Sequence, residues 1–500
     1  MKTFKDPSRK LAACADRARR LEERWQALCD RHLPLAPEDS VWRYHHAANP
    51  EAPTQGWKLH LSATLLNACD VLERVAPFLA ARSIPYKAPR SLQELIKINS
   101  GLYYGYSQVG KIITVYPPTT EEAVRLAREL RRLTGRVSAP AVPFDRRFGG
   151  NVYYRFGAFA HMEVEHADGR RAPAIRDPDG RLVPDARYAE DARPEWVSDP
   201  FTAARPRGPR PRAAGPDASS FRVFRALVQR GKGGVYQAVD LRGDAPRLCL
   251  LKEGRRDGEL GWDGRDGARR VRHEERVISS LLAAGVDAPR IYSSFYLSGN
   301  YYLVTEFIEG ESLHSLLARR ERRMPVPVAL RYGLRLSEIF RGLHAAGWVW
   351  RDCKPANILV TPEGRLRPID FEGACPARRP DPLYWGTPGF TPPEWRERDF
   401  SPRASTSGDV YALGSVLYLL LTGRVPEASE PAPVESLRGD VPAAVRALVT
   451  RLLDRDPDSR PRAEEVVREL EAALSSPDRV RPAVGRSSRE PVSAAAATGG

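Results

Sequence analysis

A break in composition constrains this chain more than any single motif. From Asp168 to Pro216 the sequence turns to Pro, Gly, Asp and Arg, ending in Arg205-Pro206-Arg207-Gly208-Pro209-Arg210-Pro211-Arg212. Such a stretch offers little to a core and reads as a semi-rigid, solvated linker. Patterned sequence lies on both sides of it, so the 500 residues divide into two folded parts. The expected organisation is an N-terminal domain over 1–200 whose end overlaps a linker at about 168–216, a second domain over 221–474, and a tail over 475–500. The tail's Ala, Ser, Arg and Pro content predicts disorder.

Charge narrows the partners. Lys and Arg number 78 against 63 Asp and Glu, and the net charge of +15 favours phosphates, nucleotides or acidic peptides. The excess is scattered and partly in the linker, so no nucleic-acid partner is expected. Six cysteines without a CxxC pair, and a Met1-Lys2-Thr3 start without a secretory signal, predict a reduced cytoplasmic protein. The longest apolar run, Tyr411 to Leu421, is too short for a membrane span and predicts a buried helix. Only ten basic residues are lysine (2, 5, 10, 58, 87, 97, 111, 232, 252 and 354), the other sixty-eight being arginine. An amine can lose its proton when desolvated and act as a base, whereas a guanidinium effectively cannot.

The N-terminal part alternates strand and helix patterns. Leu11, Cys14, Ala18, Leu21, Trp25 and Leu28 predict a helix over Ser8 to Cys29. Gly56 to Ser62 alternates strictly, with Trp57, Leu59 and Leu61 on one face and Lys58, His60 and Ser62 on the other. Ser62 or Thr64 is then placed to cap a helix carrying Leu65 to Leu79. Further strands are expected at Ser83–Lys87, Lys111–Tyr116 and Val152–Phe156, with a capped helix from Thr119 to about Gly135. The result is an α+β domain.

The second part carries an ordered series of phosphate- and metal-handling signals. Leu227-Val228-Gln229-Arg230-Gly231-Lys232-Gly233-Gly234-Val235 is a glycine-rich hairpin, and Lys252 ends a strand. Glu274 precedes Val277, Ile278 and Leu281 on a helix that turns it toward Lys252, a better position than Glu275. Then come Tyr302 to Phe307, Arg351-Asp352-Cys353-Lys354-Pro355-Ala356-Asn357, Asp370-Phe371-Glu372, and Gly386 to Glu394. Together these resemble protein kinases across 221–474. The resemblance implies a bilobal fold using ATP or another NTP with Mg2+. Gly231, Gly233, Val235 and Lys252 with Glu274 would attend the phosphates, and the backbone at Glu306 and Phe307 the purine. Asp352 and Lys354 would serve catalysis, and Asn357 and Asp370 the metal. Asp409 and Arg460 fit structural anchors, Arg460 being placed to pair with Glu394. Trp350 and Glu372 depart from the family pattern, so a divergent branch is expected. No Ser or Thr lies between Glu372 and Gly386, so the usual switch by phosphorylation is not expected.

In the first part, Gly56 to Ser62, Tyr86-Lys87, Gly110 to Pro117 and Tyr153 to Gly157 resemble the N-terminal domain of class III lanthipeptide synthetases over about 40–200. That domain is related to phosphothreonine lyases. The resemblance implies that the kinase phosphorylates Ser and Thr of a leader-bearing precursor peptide, and that the lyase then expels phosphate to leave dehydroalanine or dehydrobutyrine. Lys87 is then the base, His60 the acid, and Lys58, Lys111 and Arg155 the phosphate or carbonyl clamps. Lys87 acts only with a depressed pKa, which nearby cations favour. Tyr153 and Tyr154 are expected to pack. Synthetases of this class also carry a zinc-dependent cyclase; no Cys/Cys/His set of zinc-ligand spacing follows Leu474, so no zinc is expected. Ring closure would fall to a separate cyclase, to another tailoring enzyme or to spontaneous addition, or would not occur. The alternatives are a regulatory Ser/Thr kinase whose N-terminal domain is a sensor or binds phosphopeptides, and a non-catalytic scaffold that binds peptide and nucleotide.

Overall fold

The computed structural model describes residues 7–38, 40–46, 53–165, 168–186, 193–202, 204, 220–319, 323–381, 383–395, 404–427 and 430–475. The Arg/Pro run at 205–212 and the tail beyond 475 lie outside the described residues.

Helix α1 spans Pro7–His32 and is anchored by Trp25, which is fully buried and donates its indole N–H to the Pro89 carbonyl at 3.1 Å. A six-stranded sheet follows, made of β1 (Trp42–Tyr44), β2 (Gln55–Leu61), β3 (Tyr86–Pro89), β4 (Ile113–Val115), β5 (Arg146–Gly149) and β6 (Val152–Ala158). Its order is β1-β3-β4-β2-β6-β5, with every pairing antiparallel. Helices α2 (Ala68–Ala80), α3 (Leu92–Ser100) and α4 (Thr120–Thr134) cover one face. Leu59 and Leu61 are fully buried beneath them, and Trp57 nearly so. The other face therefore carries Lys58 and His60, as strict alternation requires.

Two local expectations need correction. Ser62 and Thr64 do not cap α2: the N-cap is Asn67, whose Oδ1 accepts from the Thr64 amide at 2.8 Å, while Ser62 Oγ donates to the Pro140 carbonyl at 2.7 Å. Thr119 does cap α4, accepting from the Glu122 amide at 3.2 Å. The stretch from Asp168 onward is not simple linker either. It carries part of a three-stranded sheet of β7 (Glu163–Glu165), β8 (Arg171–Arg176) and β9 (Leu182–Pro184). Farther on, Phe201 is fully buried, stacked on Tyr154 with ring centroids 4.0 Å apart. A few apolar residues, Ala174, Ile175 and Phe201, hold this segment while the surrounding Arg, Pro and Asp dominate its composition.

The second part opens with a five-stranded sheet ordered β10-β11-β12-β14-β13: β10 (Phe221–Arg230), β11 (Gly233–Asp240), β12 (Arg247–Gly254), β13 (Ile291–Leu297) and β14 (Asn300–Glu306). Helix α5 (Gly267–Ala283) packs on it. A helical lobe follows, including α6 (Leu313–Arg319), α7 (Val326–Ala345) and α8 (Thr406–Thr422). In α8 every residue from Gly408 to Leu421 is buried, which matches the apolar run. Among the described residues, no helix is long and apolar enough to cross a membrane.

The two parts are docked. Trp262 of the second packs against the apolar core of the first, and the Trp262 carbonyl accepts from Arg17 at 2.9 Å. The Arg255 guanidinium lies over the Tyr106 ring at 4.8 Å, and Asp257 accepts from Ser138.

Candidate active sites

In the second part, β12 and α5 bring Lys252 and Glu274 together. Lys252 Nζ lies 2.6 Å from Glu274 Oε2 and 3.0 Å from Asp370 Oδ1. Burial opposes the Lys252 ammonium, but Asp370 and Glu274 outweigh it and raise its pKa. Glu274 Oε1 also accepts from the Phe371 amide at 3.2 Å, so one carboxylate ties the strand lysine to the Asp-Phe segment. Glu275 points elsewhere, to Ser294 and Tyr301.

The catalytic loop lies between the strands Trp348–Val349 and Ile358–Val360. Arg351 is held at φ +73°, a conformation side chains disfavour. Asp409 fixes it, accepting from the Trp350 and Arg351 amides at 2.8 Å each. Lys354 donates to Asp352 Oδ2 and to Thr387 Oγ1, both at 2.9 Å, and the Thr387 hydroxyl donates to Asp352 Oδ1 at 2.9 Å. Burial raises the Asp352 carboxyl above the usual aspartate range against the pull of Lys354. Thr387 belongs to the Gly386–Glu394 stretch, but nothing in its position along the chain announced this contact. Trp350 fills its unusual place by donating to the Asp370 carbonyl at 3.1 Å while its ring meets Phe371 at 5.3 Å. Arg460 pairs with Glu394 at 2.7 and 2.8 Å.

Asn357 donates Nδ2 to the Asp352 carbonyl at 2.9 Å, which leaves its amide oxygen as the donor atom toward a cation. With the Asp370 carboxylate it forms the hard-oxygen set that Mg2+ takes. The residues present fit that ion.

The hairpin needs a correction. Gly231 does not lend its amide to phosphate: that N–H donates to the Ser100 carbonyl of the N-terminal part at 3.0 Å. A Cβ at Gly231 would stand 1.6 Å from the Asn99 carbonyl oxygen, so glycine is required for close approach of the two parts. Gly233 has φ +152°, and Val235 pairs with Lys252 across the strands. Lys232, at the tip, reaches inward to Glu372 Oε2 at 2.5 Å. At β14, Glu306 turns its carboxylate to the Arg290 amide and to Arg367, and Phe307 follows it in the lobe connection.

The candidate site of the first part is built by strand register. Lys87 pairs with Thr114, Thr114 with His60, and His60 with Tyr153, a single row across β3, β4, β2 and β6. Residues paired in this way share a face, so Lys87 and His60 stand two strand spacings apart, about 10 Å between backbones. Lys58 is two residues from His60 on the same face, opposite Arg155. Lys87 is half-buried with its ammonium 4.2 Å from the Trp42 ring centroid, and Lys58 lies 5.8 Å from that of Tyr116. Arg155 is paired with Asp185 from the end of β9.

Asp145 escaped the sequence reading. It is buried, and its two oxygens lie 2.6 Å from His60 Nδ1 and 2.8 Å from Lys111 Nζ. It titrates far below the usual aspartate range: burial acts against the carboxylate, and Lys111 and His60 override it. Burial drives the His60 imidazole down to about 4 despite Asp145. The neutral ring then donates Nδ1–H to the carboxylate and turns Nε2 outward. One signal was available: Asp145 is the only carboxylate between Glu129 and Glu163, in a stretch otherwise basic. Tyr153 is buried, and Tyr154 donates its hydroxyl to Asp199 at 3.0 Å.

The fold and the catalytic loop define the second part as a Ser/Thr protein kinase domain, a class of enzyme that uses ATP with Mg2+. Residues 264–470 match the protein kinase domain family, and residues 31–213 match the family described as RamC, N-terminal domain. The chain is thus class III lanthipeptide synthetase-like, a RamC-type N-terminal domain followed by a kinase domain. It is 32% identical over 400 residues to a probable SapB synthase of Streptomyces coelicolor, covering 77% of this chain and 42% of that protein. It is also 32% identical over 266 residues to the serine/threonine-protein kinase PknA of Mycobacterium tuberculosis, covering 49% of this chain and 58% of the relative. The chain therefore matches less than two thirds of the length of either protein. Helix α1 up to Asp30 and the Arg255–Asp263 region, which join the two parts, fall outside both family matches.

Proposed function

We propose that this chain dehydrates Ser and Thr residues of a peptide in two steps, phosphorylation by the kinase domain and elimination by the N-terminal domain. In the first, Asp352 orients the substrate hydroxyl and accepts its proton as the oxygen attacks the γ-phosphorus and ADP departs. Lys354 and Lys252 balance the charge on the moving oxygens. Asn357 and Asp370 would hold Mg2+, which when bound neutralises the phosphate oxygens.

In the second step, Lys87 removes the Cα proton of the phosphorylated residue. The electron pair becomes the Cα=Cβ bond, the Cβ–O bond breaks, and phosphate leaves with a proton from His60. Lys58 and Lys111 supply positive charge, which favours a neutral Lys87 amine and holds the phosphate. A phosphate dianion beside Nε2 raises the proton affinity of His60, so the ring becomes the donor only with substrate present. Asp145 fixes the tautomer. The observation that carries this reading is the shared row of Lys87, Thr114 and His60 on the polar face of the sheet.

The test is incubation of the full chain with a Ser/Thr-containing leader-bearing peptide, ATP and Mg2+, followed by mass spectrometry. Loss of one water per hydroxyl is expected. A phosphopeptide that persists would instead favour the regulatory kinase with a binding domain, the reading that similarity to PknA supports.

A further inference from the structure

Asp381 lies in the segment between Glu372 and Gly386, where the sequence has no Ser or Thr. Its side chain is only 10% exposed although it projects from a surface loop. Three groups converge on it. Arg265, just ahead of α5, forms an ion pair with it, Lys10 of helix α1 lies 3.4 Å from Oδ1, and the Leu383 amide donates to Oδ1 at 3.2 Å. The carbonyl of that same Leu383 accepts from Arg351, the residue immediately before the catalytic Asp352. Arg351 also reaches the Gly373 carbonyl at 3.2 Å, at the start of the segment. On the α5 side, His273 meets the Ala374 carbonyl at 2.7 Å.

Where kinases are switched by phosphorylation, a new anionic group orders this segment by drawing arginines onto it. Here a buried carboxylate already holds that position. We propose that Asp381 is a positioning residue that orders the kinase segment in place of a phosphate, and that Lys10 makes the N-terminal helix part of that order. The kinase is thereby set in its working form by docking of the chain's own N-terminal region. The charges are arranged for this: Lys10 and Arg265 are shared between Asp381 and Asp263, so α1, the Arg255–Asp263 region and the kinase segment meet in one four-residue cluster. The inference rests on the kinase activity alone and is independent of the elimination chemistry.

The test uses the full chain with ATP, Mg2+ and a Ser/Thr peptide, wild-type phosphorylation being the reference. Asp381→Asn is expected to lower kcat about 20-fold with the ATP KM within about 2-fold of wild type, because charge and not nucleotide contact is lost. Asp381→Glu should stay within about 3-fold of wild type, and Lys10→Glu should fall about 5-fold through repulsion of Asp381 and Asp263. Hydrogen exchange should show amides 373–386 losing protection in Asp381→Asn and Lys10→Glu while the N-terminal sheet keeps its own. Wild-type rates in Asp381→Asn, or Asp381→Glu as slow as Asp381→Asn, overturn the role of the carboxylate. A wild-type rate in Lys10→Glu overturns the part given to the N-terminal helix.

Discussion

The two candidate centres of this molecule arrange their charges with opposite architectures. In the kinase half lysines are matched to carboxylates, Lys252 to Glu274 and Asp370 and Lys232 to Glu372 across distant elements, and Lys354 to Asp352 within one loop. In the N-terminal half His60 and Lys111 share a single buried carboxylate, Asp145, and strand register puts Lys58, Lys87 and His60 on one face of the sheet. The first arrangement sets three ammonium groups against four carboxylates. The second sets one carboxylate between an imidazole and an ammonium. On the proposed function, the first is the donor site for phosphate and the second its departure site.

The contrast breaks most visibly at Asp352. Asp352→Asn should slow phosphorylation by about 10⁴-fold, with elimination from a peptide phosphorylated beforehand unchanged, both followed by mass spectrometry. Loss of both activities together would mean the halves share one centre. Lys87→Ala should do the reverse, slowing elimination by about 10³-fold so that phosphopeptide accumulates. Dehydration at the normal rate in that variant removes Lys87 as the base. Asp145→Asn sharpens the comparison: it should cost about 10²-fold in elimination by releasing the His60 tautomer, with phosphorylation intact.

Gly231→Ala probes the seam between the halves. The clash with the Asn99 carbonyl should raise the ATP KM about 3- to 10-fold and destabilise the protein by about 1–3 kcal/mol, read from kinetics and denaturant unfolding. The smallest effect concerns pH. His60 titrates at about 4 in the fold against about 6.5 when unfolded, so its neutral form stabilises the N-terminal domain above pH 6.5. That contribution is lost as pH falls from about 6.5 to about 4, because the unfolded chain binds the proton first. His60→Gln should flatten the stability profile in this window, whereas an unchanged slope would show that other groups set it.

The two centres also differ in how far the sequence disclosed them. Kinase residues cluster in short contiguous words, Arg351-Asp352 or Asp370-Phe371, because each loop presents several groups at once. Lys252 and Glu274 were legible because strand and helix periods aim them. On the sheet, alternation put Lys58 and His60 on one face, but no pattern carries register between strands. The row from Lys87 to His60 therefore rests on the strand order β3-β4-β2, which is tertiary information. Asp145 sits in irregular chain, where neither period applies. Gly231 was assigned to phosphate because its neighbours lie in the hairpin, and only docking of the other half shows which surface it serves. The misread linker has the same cause: Phe201 earns its place through Tyr154 and not through its neighbours in sequence.

Trp262 has a consequence for the history of such a chain. Its half-buried indole follows the Arg/Pro run in sequence yet packs against the apolar core of the N-terminal part. A gene cut at the Arg/Pro run would yield one fragment with a notch and another with a bare aromatic ring on a loop. Recombination that exchanges either half must therefore bring a matching loop or a matching notch. The pair is bound to travel as a unit through any reshuffling of modules.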